Sequence, residues 1–107
     1  MKRITDIIQS QKLAGIMPKG THDAVWEYDS LACEHNERLT DHCGSMDYPA
    51  WSLSALLQFL RTKVNVSLIS VEERWTAIAR GEAAATRQEP LDAVVDLIKR
   101  LNEKGVI

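Results

Sequence analysis

The sequence predicts an α+β fold, in which a small antiparallel sheet of two to three strands packs against two or three helices. Leucine and valine recur at spacings of three and four residues after Ser52 and again after Pro90, which is typical of helices buried along one face. Between these two stripes, apolar and polar residues alternate, which is typical of half-buried strands. Two amphipathic helices and one hairpin would then share one core.

Length and composition predict one domain over residues 1–107. The chain has 107 residues, of which 45% are hydrophobic and 26% are charged, and this is the ordinary range for a folded domain. The pattern changes at Tyr48-Pro49-Ala50-Trp51. We expect residues 1–48 to form an irregular, partly helical half, and residues 49–107 to form a helix–hairpin–helix core.

The first predicted element is a helix over Thr5–Ala14. Ile4, Ile7 and Ile8 would form its inner side, and Gly15 would end it. The stripe has few apolar residues, so this helix would bury only a narrow face.

Residues 23–40 fit two interpretations, and the sequence leaves both open. A helix would place four residues on one face, namely Leu31, Ala32, His35 and Leu39. A short strand would instead contain Val25, Trp26 and Tyr28.

The second predicted helix begins after Ser52, whose hydroxyl is suited to accept a hydrogen bond from a free N–H of the first turn. Trp51, just before it, could pack on Leu56. The apolar stripe of this helix consists of Leu53, Leu56, Leu57 and Leu60. That spacing predicts a helix buried along one face.

A hairpin is predicted after this helix. Its first strand would bury Val64, Val66 and Leu68, and its second would bury Trp75, Ala77 and Ala79. The polar pair Glu72-Glu73 would form the turn, although it lacks the common Asn-Gly or Asp-Gly signal. The following segment, Gly81–Gln88, stays open between a helix, a third strand and a loop.

The final helix has the clearest signals. Pro90 suits a first helical position, and Gly105 would end the run, with Val106 contacting Leu101 in a Schellman ending. Its inner face would consist of Leu91, Val94, Val95, Ile98 and Leu101.

One cluster contains candidate metal ligands. Cys33, His35, His42 and Cys43 are thiol and imidazole ligands of the kind that zinc binds, with Glu34 between the first two and His22 further back. The spacing is unlike that of structural zinc sites, because one residue separates the first pair and none the second. No metal ligand is therefore assigned, and zinc binding stays an alternative. A Cys33–Cys43 disulfide would be geometrically feasible but disfavoured in a reducing compartment.

No catalytic or cofactor-binding residue is assigned either. Cys43 beside His42 invites a nucleophile-and-base interpretation, but adjacency in sequence does not supply the required geometry. Carboxylates crowd the same region, namely Glu34, Glu37, Asp41 and Asp47, without a spacing that pairs two of them on one helix face. The glycines occur singly, with no nucleotide-binding motif. We therefore expect no cofactor. The sequence favours a non-enzymatic protein and leaves enzyme activity open.

Trp26 is the tryptophan that core packing does not account for, so it could lie at an exposed recognition surface. The element order from Ser52 to Lys104 matches that of a double-stranded RNA-binding domain. That activity requires a basic start to the last helix. Here the start reads Glu89-Pro90-Leu91-Asp92, which repels phosphate.

Charge and hydropathy limit the partners. The net charge is -2, and no basic patch is visible, so no nucleic-acid partner is expected. No apolar run has the length of a membrane span or a signal peptide, so we expect no membrane association and a cytoplasmic location.

Two blocks resemble a known group. Tyr48-Pro-Ala-Trp-Ser-Leu-Ser-Ala-Leu-Leu57 and Pro90-Leu-Asp-Ala-Val-Val95, with the ending Asn102–Ile107, are similar to small uncharacterised proteins encoded on phages and mobile elements of gut bacteria. Leu13–Met17 resembles their N-terminal portion more weakly. The resemblance implies a genetic setting and no mechanism, because the group carries no assigned activity.

The sequence thus predicts a non-enzymatic accessory protein. The well-patterned residues are explained by packing, and an open sheet edge or the first half would bind a protein partner or a second copy as a homodimer. The alternatives are a zinc-binding protein that uses Cys33, His35, His42 and Cys43, and a small enzyme without a recognisable motif.

Overall fold

Three strands follow each of the first two helices in the computed structural model, which describes residues 2–79 and 83–107. In order along this part of the chain they are α1 (Ile7–Ala14), β1 (Ala24–Asp29), β2 (Glu34–Arg38), β3 (Tyr48–Ala50), α2 (Leu53–Arg61), β4 (Val66–Val71), β5 (Arg74–Ala79), β6 (Ala83–Arg87) and α3 (Pro90–Glu103). The predicted α+β class is confirmed.

The described strands form two antiparallel sheets rather than one. The first has the order β2-β1-β3 and the second the order β4-β5-β6. Residues 1–48 are therefore more regular than expected, and 23–40 form a hairpin, which makes the helical alternative for Leu31–Leu39 wrong. β2 reads Glu-His-Asn-Glu-Arg and is almost fully exposed. β2 is held in place by its hydrogen bonds to β1 and not by burial of apolar side chains. Apolar periodicity in the sequence could therefore not reveal it.

The second sheet agrees with the sequence in its faces and differs in its bounds. Val66 and Leu68 lie on the side packed against the core, as do Trp75 and Ala77. β4 begins two residues later than expected and runs on to Val71. β6 confirms the strand alternative for residues 83–87, whereas Arg80, Gly81 and Glu82 lie outside the described residues.

α3 lies across β5 and β6 and supplies much of the main core. Seven of its apolar side chains have no exposed area, namely Leu91, Ala93, Val94, Val95, Leu97, Ile98 and Leu101. At its end Gly105 has φ +74°, and the Val106 N–H donates to the Leu101 carbonyl at 2.9 Å. The predicted Schellman ending is confirmed.

α2 packs beside α3, burying Leu56, Phe59 and Leu60, and Ser52 caps it as predicted by accepting from the Ala55 N–H at 3.2 Å. α1 departs from its prediction. Its inner face carries Ser10 and Leu13, while Ile8 is 66% exposed. Ile4 is buried, but as part of an extended segment that bridges Ser52.

Candidate functional site

β4 is an edge strand whose outer side has no partner strand in the described part of the chain. Its six residues pair continuously with β5, from Val66 opposite Ala79 to Val71 opposite Arg74, with no bulge. The strand reads Val-Ser-Leu-Ile-Ser-Val, without charge, proline or glycine. Its outer N–H and C=O groups therefore form an unprotected template for another strand.

The solvent face of the second sheet adds apolar surface beside this edge. α3 covers the opposite face, where Ala77, Ala79 and Ala85 are buried. On the solvent face, Ile69 is 46% exposed and Val71 is 62% exposed. Because these side chains stand at the edge strand itself, a strand paired with β4 would cover them.

Charged residues stand at both ends of β4. Lys63 lies exposed before it, and Glu72 and Glu73 form the exposed turn after it. Residues 64–71 between them carry no charge. The segment thus has a basic start, a neutral middle and an acidic end.

The other edge strands of the described residues are protected by side chains that discourage pairing. β2 carries Glu34, Glu37 and Arg38, β3 contains Pro49, and β6 ends in Arg87. Charge and proline are the usual devices that prevent edge-to-edge contact. β4 lacks them, which distinguishes it from the other edges.

The structure places the four candidate zinc ligands in different surroundings. Cys33 lies exposed on the β1–β2 turn, with its thiol directed at the Ser30 carbonyl at 3.7 Å. His35 lies on β2, His42 is exposed, and the Cys43 thiol is directed at the Gly44 carbonyl at 3.8 Å. Among residues 2–79 and 83–107, no three His, Cys, Asp or Glu side chains are arranged to hold a metal ion.

His35 belongs instead to an aromatic cluster on the first sheet. Its ring lies between Tyr28 and Tyr48, at centroid distances of 5.2 and 4.8 Å, and its Nε2 is 3.1 Å from the Met46 carbonyl. The imidazole therefore joins β1, β2 and the segment before β3. This arrangement gives it a packing role, which its position between the polar residues Glu34 and Asn36 in the sequence did not indicate.

Asp47 organises the loop before β3. Its carboxylate accepts from the backbone N–H groups of Tyr28 at 2.9 Å and Gly44 at 2.8 Å. These hydrogen bonds, with smaller contributions from nearby His35 and His42, lower the pKa of Asp47 below its ordinary value. A carboxylate held ionised in this way stabilises the loop and does not transfer protons near neutral pH.

Cys43 lines a hollow of about 430 Å³ together with His22, Trp51 and Met17. Burial, followed by the charge of Asp47, raises the pKa of the Cys43 thiol. A neutral thiol is a poor nucleophile. The nearby His22 ring is engaged elsewhere, because its Nε2 is 2.8 Å from the Asp41 carbonyl.

The remaining candidates have structural contacts. Trp26 is partly buried, and its indole N–H donates to the Thr5 carbonyl at 2.8 Å. Glu37 pairs with Arg3 at 2.6 Å, and Glu34 and Asp41 are exposed. The structure does not bring these carboxylates together into a site with Asp47.

The sequence shows the neutral run between Lys63 and Glu72, and that run was the available signal for the β4 surface.

In comparisons with known proteins, no family model, no curated protein and no solved structure matches this chain. None of the helices within residues 2–79 and 83–107 is long and apolar enough to cross a bilayer.

Proposed function

We propose that this chain is a non-enzymatic interaction protein that binds a partner strand along the free edge of β4. The observation that carries the proposal is the contrast between β4, which has no charge or proline, and the protected edges β2, β3 and β6. From the resemblance of residues 48–107 to small phage and mobile-element proteins, we further propose that the chain acts as an accessory protein in the bacterial cytoplasm.

Backbone pairing would supply only part of the binding energy. In an antiparallel pair, alternate residues direct their N–H and C=O groups outward, so a partner strand would form about six hydrogen bonds with β4, each worth roughly 0.5–1.5 kcal/mol net. Association itself costs about 4–15 kcal/mol. A stable complex therefore also requires an apolar side chain on the partner that packs beside Ile69.

A screen with extended peptides tests this function and does not require the natural partner. Peptides of about ten residues with alternating apolar positions are added to ¹⁵N-labelled protein at low concentration. We expect a subset to shift the amide resonances of β4 and to slow their hydrogen exchange. Ile69→Lys should abolish these shifts, because a lysine at the edge opposes pairing.

The matched control is Asn36→Lys, which adds the same charge to the exposed edge strand β2. This variant should bind the selected peptides as the unmodified protein does. Shifts that map to β2 rather than β4, or a screen in which no peptide perturbs β4, would overturn the proposed function.

A further inference from the structure

We infer that the strand that pairs with β4 is β4 of a second copy of this chain, in antiparallel orientation about a two-fold axis at Leu68. The inference rests on the proposed function and names its partner. It is carried by the order of charges along residues 63–73, which is basic, then neutral, then acidic.

An antiparallel self-pair places opposite charges together at both ends. The turn with Lys63 before β4 of one copy then lies near the turn with Glu72 and Glu73 after β4 of the other, and the two-fold axis repeats this contact. A parallel pair would bring lysine to lysine and glutamate to glutamate. The charges of this segment therefore select the antiparallel arrangement.

Side-chain alternation agrees with this register. β4 directs Ser67, Ile69 and Val71 to the solvent face, opposite Ile78, Thr76 and Arg74 of β5. With Leu68 on the two-fold axis, Ile69 lies opposite Ser67 of the second copy and diagonal to its Ile69 on the solvent face, and the two Leu68 side chains lie opposite each other on the core side. Each side chain thus keeps the face that it has in the single chain.

The product is a continuous sheet with the strand order β6-β5-β4-β4-β5-β6. Both copies of α3 would cover one face of this sheet, because α3 packs on the same side of β5 and β6 in each chain. Pairing uses the unprotected β4 edge of each copy. The outermost strands of the joined sheet are then the two copies of β6, which carry Arg87. The assembly therefore closes at two chains.

Sedimentation velocity over a concentration series tests the inference with a charge swap. The unmodified chain should convert from monomer to dimer as its concentration rises. Lys63→Glu and Glu73→Lys should each weaken the dimer about tenfold, because each creates two like-charge contacts. The double variant should return to within about threefold of the unmodified chain, since the pairs re-form with reversed sign.

Glu34→Lys, an exposed charge reversal on β2 of the first sheet, is the control and should leave the dimer unchanged. Circular dichroism verifies that each variant is folded, and Ile69→Lys should give a monomer at every concentration. A chain that stays monomeric, or a dimer insensitive to the charge reversals, would overturn self-pairing. If peptides still shift the β4 resonances of a monomeric chain, the proposed function stands and only the identity of the partner is wrong.

Discussion

The indole N–H of Trp26 donates to the main-chain carbonyl of Thr5 at 2.8 Å, which attaches the first sheet to the N-terminal segment. Thr5 also contacts Trp51, since its N–H donates to the Trp51 carbonyl at 2.9 Å and its hydroxyl accepts from the Trp51 N–H at 3.1 Å. The Ser10 hydroxyl lies 2.7 Å from the Thr5 hydroxyl. Thr5 and Ser10 have no exposed area, so these bonds join β1, α1 and the start of α2 around two buried hydroxyl groups.

Thr5→Val should destabilise the protein by about 1–3 kcal/mol. The valine keeps the shape of the side chain but removes the oxygen that accepts from the Trp51 N–H, leaving a buried donor without a partner. Urea denaturation at low protein concentration measures the change. The control is Thr86→Val, whose hydroxyl pairs with Thr76 at the exposed sheet surface and should cost less than about 0.5 kcal/mol. Equal losses for the two variants would contradict the importance of the Thr5 contacts.

The sequence could predict the elements whose signals are local. Ser52 and Gly105 mark helix ends through their own side-chain or backbone chemistry, and both positions behave as expected. The alternating stripes of β4 and β5 likewise place Leu68 and Ala77 on the core side. In each case, neighbouring residues contain the information.

The first sheet and the interaction surface depend on contacts that are distant in sequence. β2 has no apolar stripe, and β3 has three residues, so their pairing with β1 could not be inferred from periodicity. The uncharged run of β4 is visible in the sequence, but the fact that no strand among the described residues pairs with its outer edge is a property of strand order. For Cys33, His35, His42 and Cys43, closeness in sequence did not indicate closeness in space, because within residues 2–79 and 83–107 they lie on a turn, a strand and a loop and are not arranged to hold a metal ion.

Leu13→Ala should destabilise the protein by about 2–5 kcal/mol, whereas Ile8→Ala should cost less than about 0.5 kcal/mol. The difference follows from burial on α1, where Leu13 has no exposed area and Ile8 is 66% exposed. The apolar stripe of the sequence would have assigned the larger loss to Ile8. Thermal or urea unfolding of the two variants compares these assignments directly, and a larger loss for Ile8→Ala would contradict the observed orientation of α1.

Glu72→Gly should stabilise the hairpin by about 0.5–1 kcal/mol. Glu72 and Glu73 have φ values of +50° and +62°, in the left-handed region that glycine adopts at little cost and glutamate does not. The substitution leaves Glu73 in place for the proposed contact with Lys63. Ser54→Gly, at an exposed position within α2, should change stability in the opposite direction by a similar amount. A loss of stability for Glu72→Gly would show that its side chain contributes more than its backbone conformation costs.

The stability of the protein should depend on the ionisation of Asp6 in acid. Its carboxylate caps α1 by accepting from the Gln9 N–H at 2.7 Å, and it pairs with the Lys2 ammonium at 3.1 Å. Burial raises the pKa of Asp6, but these contacts outweigh that effect, so the pKa lies below its ordinary value of 3.8. Because the unfolded chain then binds the proton more readily than the folded chain, the stabilisation is complete above the unfolded pKa and is lost as the pH falls through the folded one.

Asp6→Asn tests this dependence, because asparagine retains the capping function but cannot ionise. Between about pH 6 and about pH 3, the melting temperature of the variant should fall less than that of the unmodified chain. The variant should be the less stable of the two at the higher pH, since it lacks the ion pair with Lys2. Glu103→Gln, exposed at the last residue of α3, removes a carboxylate outside this cap and should keep the pH profile of the unmodified chain. An Asp6→Asn profile parallel to the unmodified one would assign the acid sensitivity to other groups.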